Sequence, residues 1–255
     1  MVIKQLNLFF IAVGFFTRIP MPNWVQVDSE KLNQASRYFG LVGVLVGLIS
    51  AGIYLLANML LPSSVAIVLA MIASVLVTGG FHEDGLADTA DGFGGGWTLQ
   101  DKLTIMKDSR VGTYGVLALV FALWLKFVLL SEIALYQEEL VMAALVSAHC
   151  LSRVLAVSII YSEQYVREDA SSKSKPLAQS QTVNELGILL LTAIITLWLS
   201  GVSFALSLCV VLVVLRYLLI LGFRKQIGGY TGDTLGAAQQ VSELCCYLFI
   251  VAVSL

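Results

Sequence analysis

From Tyr38 to Phe81 the chain carries no Asp, Glu, Lys or Arg. Charged residues make up only 13% of its 255 positions, where an ordinary soluble domain carries about 25%. An uncharged stretch of that length excludes a water-soluble fold and is long enough for two membrane crossings of roughly 20 residues each. Basic residues are not in excess either. The formal net charge is −2, which excludes the positive surface that nucleic-acid binding requires. The four cysteines, Cys150, Cys209, Cys245 and Cys246, include no C-x-x-C pair. Zinc or dithiol chemistry is therefore set aside, and they are read as small hydrophobes in apolar segments. After the apolar stretch Leu6–Phe16, Thr17-Arg18-Ile19-Pro20 offers no small-residue cleavage site. That stretch is read as retained rather than removed as a signal peptide.

What is abundant is hydrophobic sequence, 58% of the chain, in long runs. Seven spans are expected, at about 38–61, 63–81, 114–136, 140–162, 185–200, 202–223 and 236–255, with a shorter apolar segment at 3–19. Pro62 and Gly201 mark tight turns within two hairpins. The connections alternate in charge. Those at 20–37, 82–113, 163–184 and 224–235 carry Lys31, Arg37, Lys102, Lys107, Arg110, Arg167, Lys173, Lys175, Arg224 and Lys225. The intervening ones, at Pro62, Gln137–Glu139 and Gly201, carry no Lys or Arg. Positive-inside insertion produces that pattern, so the four polar loops are expected in the cytoplasm. The fold class is an all-α polytopic membrane bundle. It is read as one integral-membrane domain over 1–255, without internal repeats.

The densest chemistry follows the uncharged run: Gly79-Gly80-Phe81-His82-Glu83-Asp84-Gly85-Leu86-Ala87-Asp88-Thr89-Ala90-Asp91-Gly92. Asp84, Asp88 and Asp91 are spaced i, i+4, i+7, which puts all three on one face of a helix. Three like charges on one face repel unless a cation lies among them. A hard divalent ion, Mg²⁺ with a phosphate substrate, is the natural occupant. The plainer reading, a solvated helix end, fits scattered acids better than this spacing. His82 is open between ligand, general base and hydrogen-bond partner of an Asp. Glu83 points off the Asp face and is read as structural.

Three further features bear on the site. Met106-Lys107-Asp108-Ser109-Arg110-Val111-Gly112-Thr113 follows a short helix that Thr98 is placed to cap. Asp108, Ser109 and Arg110 before Gly-Thr offer a guanidinium, hydroxyls and amides suited to phosphate, or else a span anchor at the headgroups. Gly228-Gly229-Tyr230-Thr231-Gly232-Asp233-Thr234 opens the last span. Asp233 either adds a fourth carboxylate to the cluster or, with Thr234, simply caps the helix. Lys126, Arg153 and Arg216 lie within spans, where a charge is costly and marks function by default. His149 and Arg153 share a helix face, and Arg153 is expected to pair with a cluster carboxylate or a substrate phosphate. Arg216 is close enough to a span end to snorkel.

Taken together, these motifs resemble the cobalamin synthase family, membrane enzymes that attach the nucleotide loop of vitamin B12. The likeness runs along the whole chain. It rests on Phe16-Thr17-Arg18-Ile19-Pro20-Met21-Pro22, on Gly79-Gly80-Phe81-His82-x-Asp84-Gly85-Leu86-Ala87-Asp88-x-x-Asp91-Gly92, on Asp108-Ser109-Arg110-x-Gly112-Thr113, on Ser152-Arg153, and on Gly228-Gly229-x-Thr231-Gly232-Asp233-Thr234-Leu235-Gly236-Ala237. The resemblance implies adenosylcobinamide-GDP ribazoletransferase activity with Mg²⁺, joining adenosylcobinamide-GDP to α-ribazole or its 5′-phosphate and releasing GMP. On that reading Asp84, Asp88 and Asp91 hold the metal. Asp91 or His82 is the base, and Arg110 is catalytic. Arg18, Asp108, Ser109, Arg153, Thr231 and Asp233 contact substrate. The corrin is expected to dock on loops 82–113 and 163–184, with Lys173 and Lys175 near phosphate. The implied location is the cell inner membrane, and the oligomeric state stays open. A fainter likeness to CDP-alcohol phosphotransferases stops at Asp88-x-x-Asp91-Gly92, because Phe93-Gly94-Gly95 then departs from that pattern. A cation transporter and a purely structural membrane subunit are the readings from other classes.

Overall fold

The computed structural model describes residues 2–167, 180–198 and 202–254. Lys173, Lys175 and Gly201 lie outside the described residues. Within them the chain is helical: α1 (Val2–Phe16), α2 (Ser29–Ala35), a short 3₁₀ turn (Ser36–Tyr38), α3 (Phe39–Asn58), α4 (Ser63–Thr78), α5 (Phe81–Gly95), α6 (Leu99–Ile105), α7 (Thr113–Tyr136), α8 (Leu140–Ser162), α9 (Val183–Trp198), α10 (Val202–Ile227) and α11 (Gly232–Ser254). Five of these segments are long and apolar enough to cross a membrane, at Ser29–Asn58, Thr113–Tyr136, Leu140–Ser162, Phe204–Ile227 and Gly232–Val253. An all-α membrane bundle is thus what the hydropathy pattern specifies.

Two of the seven expected spans differ. The 63–81 run does not continue to 81: α4 stops at Thr78 because Gly79 and Gly80 take φ +69° and +72°. That left-handed conformation is one that glycine adopts without a Cβ clash. The chain then turns 86° into α5. At 16 residues, α4 and α9 are each about 24 Å long, shorter than a full crossing.

α8 is the central helix. It is buried almost continuously from Ala148 to Ile160 and packs on α3, α11 and α9. α10 is the opposite case, turning Val210, Val213, Val214, Tyr217 and Leu218 outward as a lipid-facing surface. All four cysteines are free. α5 lies against α11 and α7. Thr98 caps α6 as its sequence indicates, accepting from Asp101 N while the Asp101 carboxylate accepts from Thr98 N.

Candidate active site

The acidic helix is brought to the last span by a contact that leaves no room for side chains. Gly85 on α5 faces Gly236 on α11, and a Cβ added to Gly85 would stand 2.8 Å from the Asp233 carbonyl oxygen. That close crossing sets Asp233 within electrostatic reach of Asp84 and Asp88. Asp84, Asp91 and Asp233 all repel the charge of Asp88, and Arg167 is the cation that offsets it. Asp233 therefore does join the cluster, and the helix cap is made by its neighbours. Thr231 and Thr234 cap α11 reciprocally, Thr231 N donating to Thr234 Oγ1 (2.8 Å) and Thr234 N to Thr231 Oγ1 (3.3 Å). Both are fully buried. Thr231, expected at the substrate, sits inside this cap.

Arg167 is held by local backbone pairing. Tyr230 N donates to Gln164 O (2.9 Å) and Val166 N to Tyr230 O (3.0 Å), which pins the stretch before Arg167 beside the entry to α11. Its guanidinium then donates to Asp233 Oδ2 (2.6 Å) and to Met106 O (3.2 Å).

Two clefts open beside α5. The larger, about 660 Å³, is lined by Arg18, Gly79, Glu83, Asp84 and Val111. The Arg18 guanidinium lies over Gly79, where a Cβ would collide with it, and Arg18 N donates to Val77 O (2.7 Å). The second, about 460 Å³, is lined by Asp91, Asp108, Arg110, Gly112 and Thr113. Val111 lines both clefts, so they adjoin. Asp108 and Arg110 form a fork across two residues, Arg110 Nη2 to Asp108 Oδ2 at 2.6 Å and Nε to Oδ1 at 3.0 Å. These bonds hold the Asp108 carboxyl down at about 2. The Arg110 side chain is 87% exposed and open to a ligand. Ser109 is exposed beside it.

The remaining expected site residues are engaged by the protein itself. Both oxygens of Asp91, read from sequence as ligand and base, accept backbone N–H bonds, from Gly112 (2.7 Å) and Gly115 (2.8 Å). That is the geometry of a helix cap, closing the first turn of α7 onto α5. His82 is buried, its ring stacked on Phe16 at 5.6 Å, and does not face the clefts. Arg153 is 2% exposed inside the bundle, donating to His149 O at 2.9 Å. Arg216 donates to Ser158 Oγ (2.8 Å) and Ser162 Oγ (2.6 Å) on α8. Among the described residues, no group of three or more His, Cys, Asp or Glu side chains is placed so that it could hold a metal ion.

Sequence reasoning placed Arg167 only in a loop-charge tally, and it passed over Glu243. The latter was detectable, as a carboxylate inside an apolar span by the same rule that singled out Lys126.

The model of the cobalamin-5-phosphate synthase family matches residues 8–251. The chain belongs to the cobalamin-5-phosphate synthase family. Within it, a protein of Shewanella woodyi named adenosylcobinamide-GDP ribazoletransferase is 65% identical over 252 residues, 99% of this chain and 98% of that one. Proteins of the same name from Shewanella frigidimarina (64% identical, 99% of this chain and 97% of that one) and Shewanella pealeana (65% identical, 97% and 96%) are similar over comparable lengths. No solved structure matches. Family membership agrees with the multi-pass helical architecture.

Proposed function

We propose that the chain joins adenosylcobinamide-GDP to α-ribazole, or its 5′-phosphate, and releases GMP, with Mg²⁺, at the cytoplasmic face of the cell inner membrane. Family membership and the names of its relatives support the reaction class. The observation that carries the site is the electrostatic proximity of Asp84, Asp88 and Asp233, from two helices, with Asp84 lining a cleft that also holds Arg18.

An all-oxygen set with more negative charge than its one arginine offsets suits a hard cation. Asp84 and Asp233 would hold Mg²⁺ through carboxylate oxygens. Mg²⁺ bound there neutralises charge building on the leaving phosphate. Arg18 binds the diphosphate in the larger cleft, and Arg110 takes phosphate oxygens in the adjoining one. The transfer is a phosphodiester exchange. A ribazole hydroxyl oxygen attacks the phosphorus that bears the cobinamide arm, the bond from that phosphorus to the GMP oxygen breaks, and the hydroxyl proton leaves. Asp88 would accept that proton, because partial burial first, and then repulsion from Asp233, Asp84 and Asp91, favour its protonated form. Asp91 holds α7 in place beneath the second cleft. Acids opening onto surface clefts, rather than strung through the spans, favour this reading over cation transport.

Purified protein in liposomes is expected to form cobalamin, or its 5′-phosphate, with equal GMP, and to stop on chelation. Consumption of a CDP-linked lipid with no use of cobinamide-GDP overturns the substrate assignment. Magnesium flux without turnover overturns the enzyme reading.

A further inference from the structure

Away from the clefts, a second set of ionisable side chains lies inside the bundle. Lys126 of α7, His149 and Arg153 of α8 and Glu243 of α11 are 4%, 2%, 2% and 1% exposed. Glu243 is the hub. Its Oε1 accepts from Lys126 Nζ (2.5 Å) and from Tyr247 OH (3.1 Å). Its Oε2 accepts from Gln239 Nε2 (2.7 Å) and lies 3.4 Å from His149 Nδ1. A buried ion pair is commonly no more stabilising than apolar side chains of the same volume, so stability alone accounts poorly for this set.

The set has one outlet toward the clefts. Gln239 Oε1 accepts from Gln240 Nε2 (2.9 Å), and the same Nε2 donates to Glu83 Oε1 (3.2 Å). Each amide has one donor end and one acceptor end, so fixing the first fixes the next. Lys126 anchors Glu243, Glu243 orients Gln239, Gln239 orients Gln240, and Gln240 takes hold of Glu83. Glu83 immediately precedes Asp84 on α5, and consecutive helix residues point about 100° apart. Glu83 and Asp84 both line the larger cleft, so holding Glu83 against α11 fixes the turn that also carries Asp84. Among the described residues, three buried polar atoms of the set and its outlet are unsatisfied, His149 Nε2 one of them. Glu83 Oε2 has no partner among the described residues, nor has Arg153 Nε. Arg153 and His82 line a cavity of about 20 Å³, room for one water molecule.

We propose that Glu243, acting through Gln239 and Gln240, is a positioning residue that sets the rotation of the first turn of α5 and so the aim of Asp84. Its catalytic consequence rests on the transferase reading above; its effect on α5 does not.

The test uses the full chain in nanodiscs. Gln240→Leu cuts the relay while leaving the Lys126–Glu243 pair in place. Its turnover is expected to fall between about ten- and a hundredfold, the cost of misplacing a reacting group by about 1 Å, while the KM for cobinamide-GDP changes little. Peptides spanning 81–90 are expected to exchange deuterium at least about threefold faster, as a loosened local unit does. Glu83→Gln, which still accepts from Gln240, is expected to keep exchange over 81–90 near the parent value. If Gln240→Leu is unstable, the double variant E83M/Q240L leaves no orphaned acceptor and is measured instead, with the same expected loss of turnover and of protection. Unchanged exchange over 81–90 overturns the proposal, as does a loss of turnover that only tracks a lower melting temperature. If the parent protein transfers no ribazole, the transferase reading fails, and the exchange experiment alone decides the positioning role.

Discussion

Asp91→Ala is expected to behave as the loss of a structural cap, distinct from the loss of a reacting group. The side chain is 8% exposed and its two oxygens satisfy the amides of Gly112 and Gly115. Hydrogen bonds to a charged partner contribute about 1.5–3 kcal/mol each, and the helix N-terminus adds roughly 0.5 kcal/mol for a nearby carboxylate. Water and local relaxation recover part of this, leaving a net cost of about 3 kcal/mol. For a chain of this length that is a fall in melting temperature of about 6–12 °C by the scaling of soluble domains. Asp84→Ala removes an exposed carboxylate with no such bonds and should leave melting within about 2 °C, since surface changes of this kind stay within about 0.5 kcal/mol. The assay is thermal unfolding of both variants in the same detergent, alongside turnover. The expected result is a split: Asp84→Ala folded and inactive, Asp91→Ala destabilised. An Asp91→Ala protein that melts like the parent and is inactive would refute the cap argument and return Asp91 to the chemistry.

Two further outcomes are expected. Single cysteines at Thr98 should resist an impermeant thiol reagent applied to intact cells while one at Gln137 reacts; the reverse pattern removes the cytoplasmic assignment of the clefts. Arg167→Ala frees Asp233 from its guanidinium, so manganese binding measured by electron paramagnetic resonance should tighten several-fold while turnover falls, because a competing cation is gone; weaker binding would show that Arg167 supports the ion site instead.

Much of the site was legible because helical spacing is a local property. The i, i+4 relation of Asp84 and Asp88 and the off-face position of Glu83 follow from 3.6 residues per turn, and Glu83 does turn to α11. Asp91 shows the limit. A helix face says which way a side chain points, but not that the amides of Gly112 and Gly115 wait there. Arg153 was conspicuous as an intramembrane charge, yet its surroundings depend on Glu243, ninety positions further on, and no local pattern links them. Asp233 was ambiguous because a carboxylate at a helix start serves as cap or as ligand. The Thr231–Thr234 cap takes over the capping role, and the contact between Gly85 and Gly236 brings Asp233 within electrostatic reach of Asp84 and Asp88. The hydropathy runs the span on through Gly79 and Gly80 to 81, whereas two successive left-handed residues there turn the chain by 86°.

That angle has a consequence for depth. Along a helix continuing α4, Asp84 and Asp91 would differ in height by about 10 Å, at 1.5 Å per residue. With α5 turned 86° from α4, the same seven residues change height along α4 by less than about 1 Å. The acidic helix is a level shelf relative to α4: its carboxylates differ in burial, from exposed Asp84 to buried Asp91, rather than in height along α4. A bulky amphiphilic substrate and a small polar one can then meet there edge to edge, and neither has to descend into the hydrocarbon to reach the other.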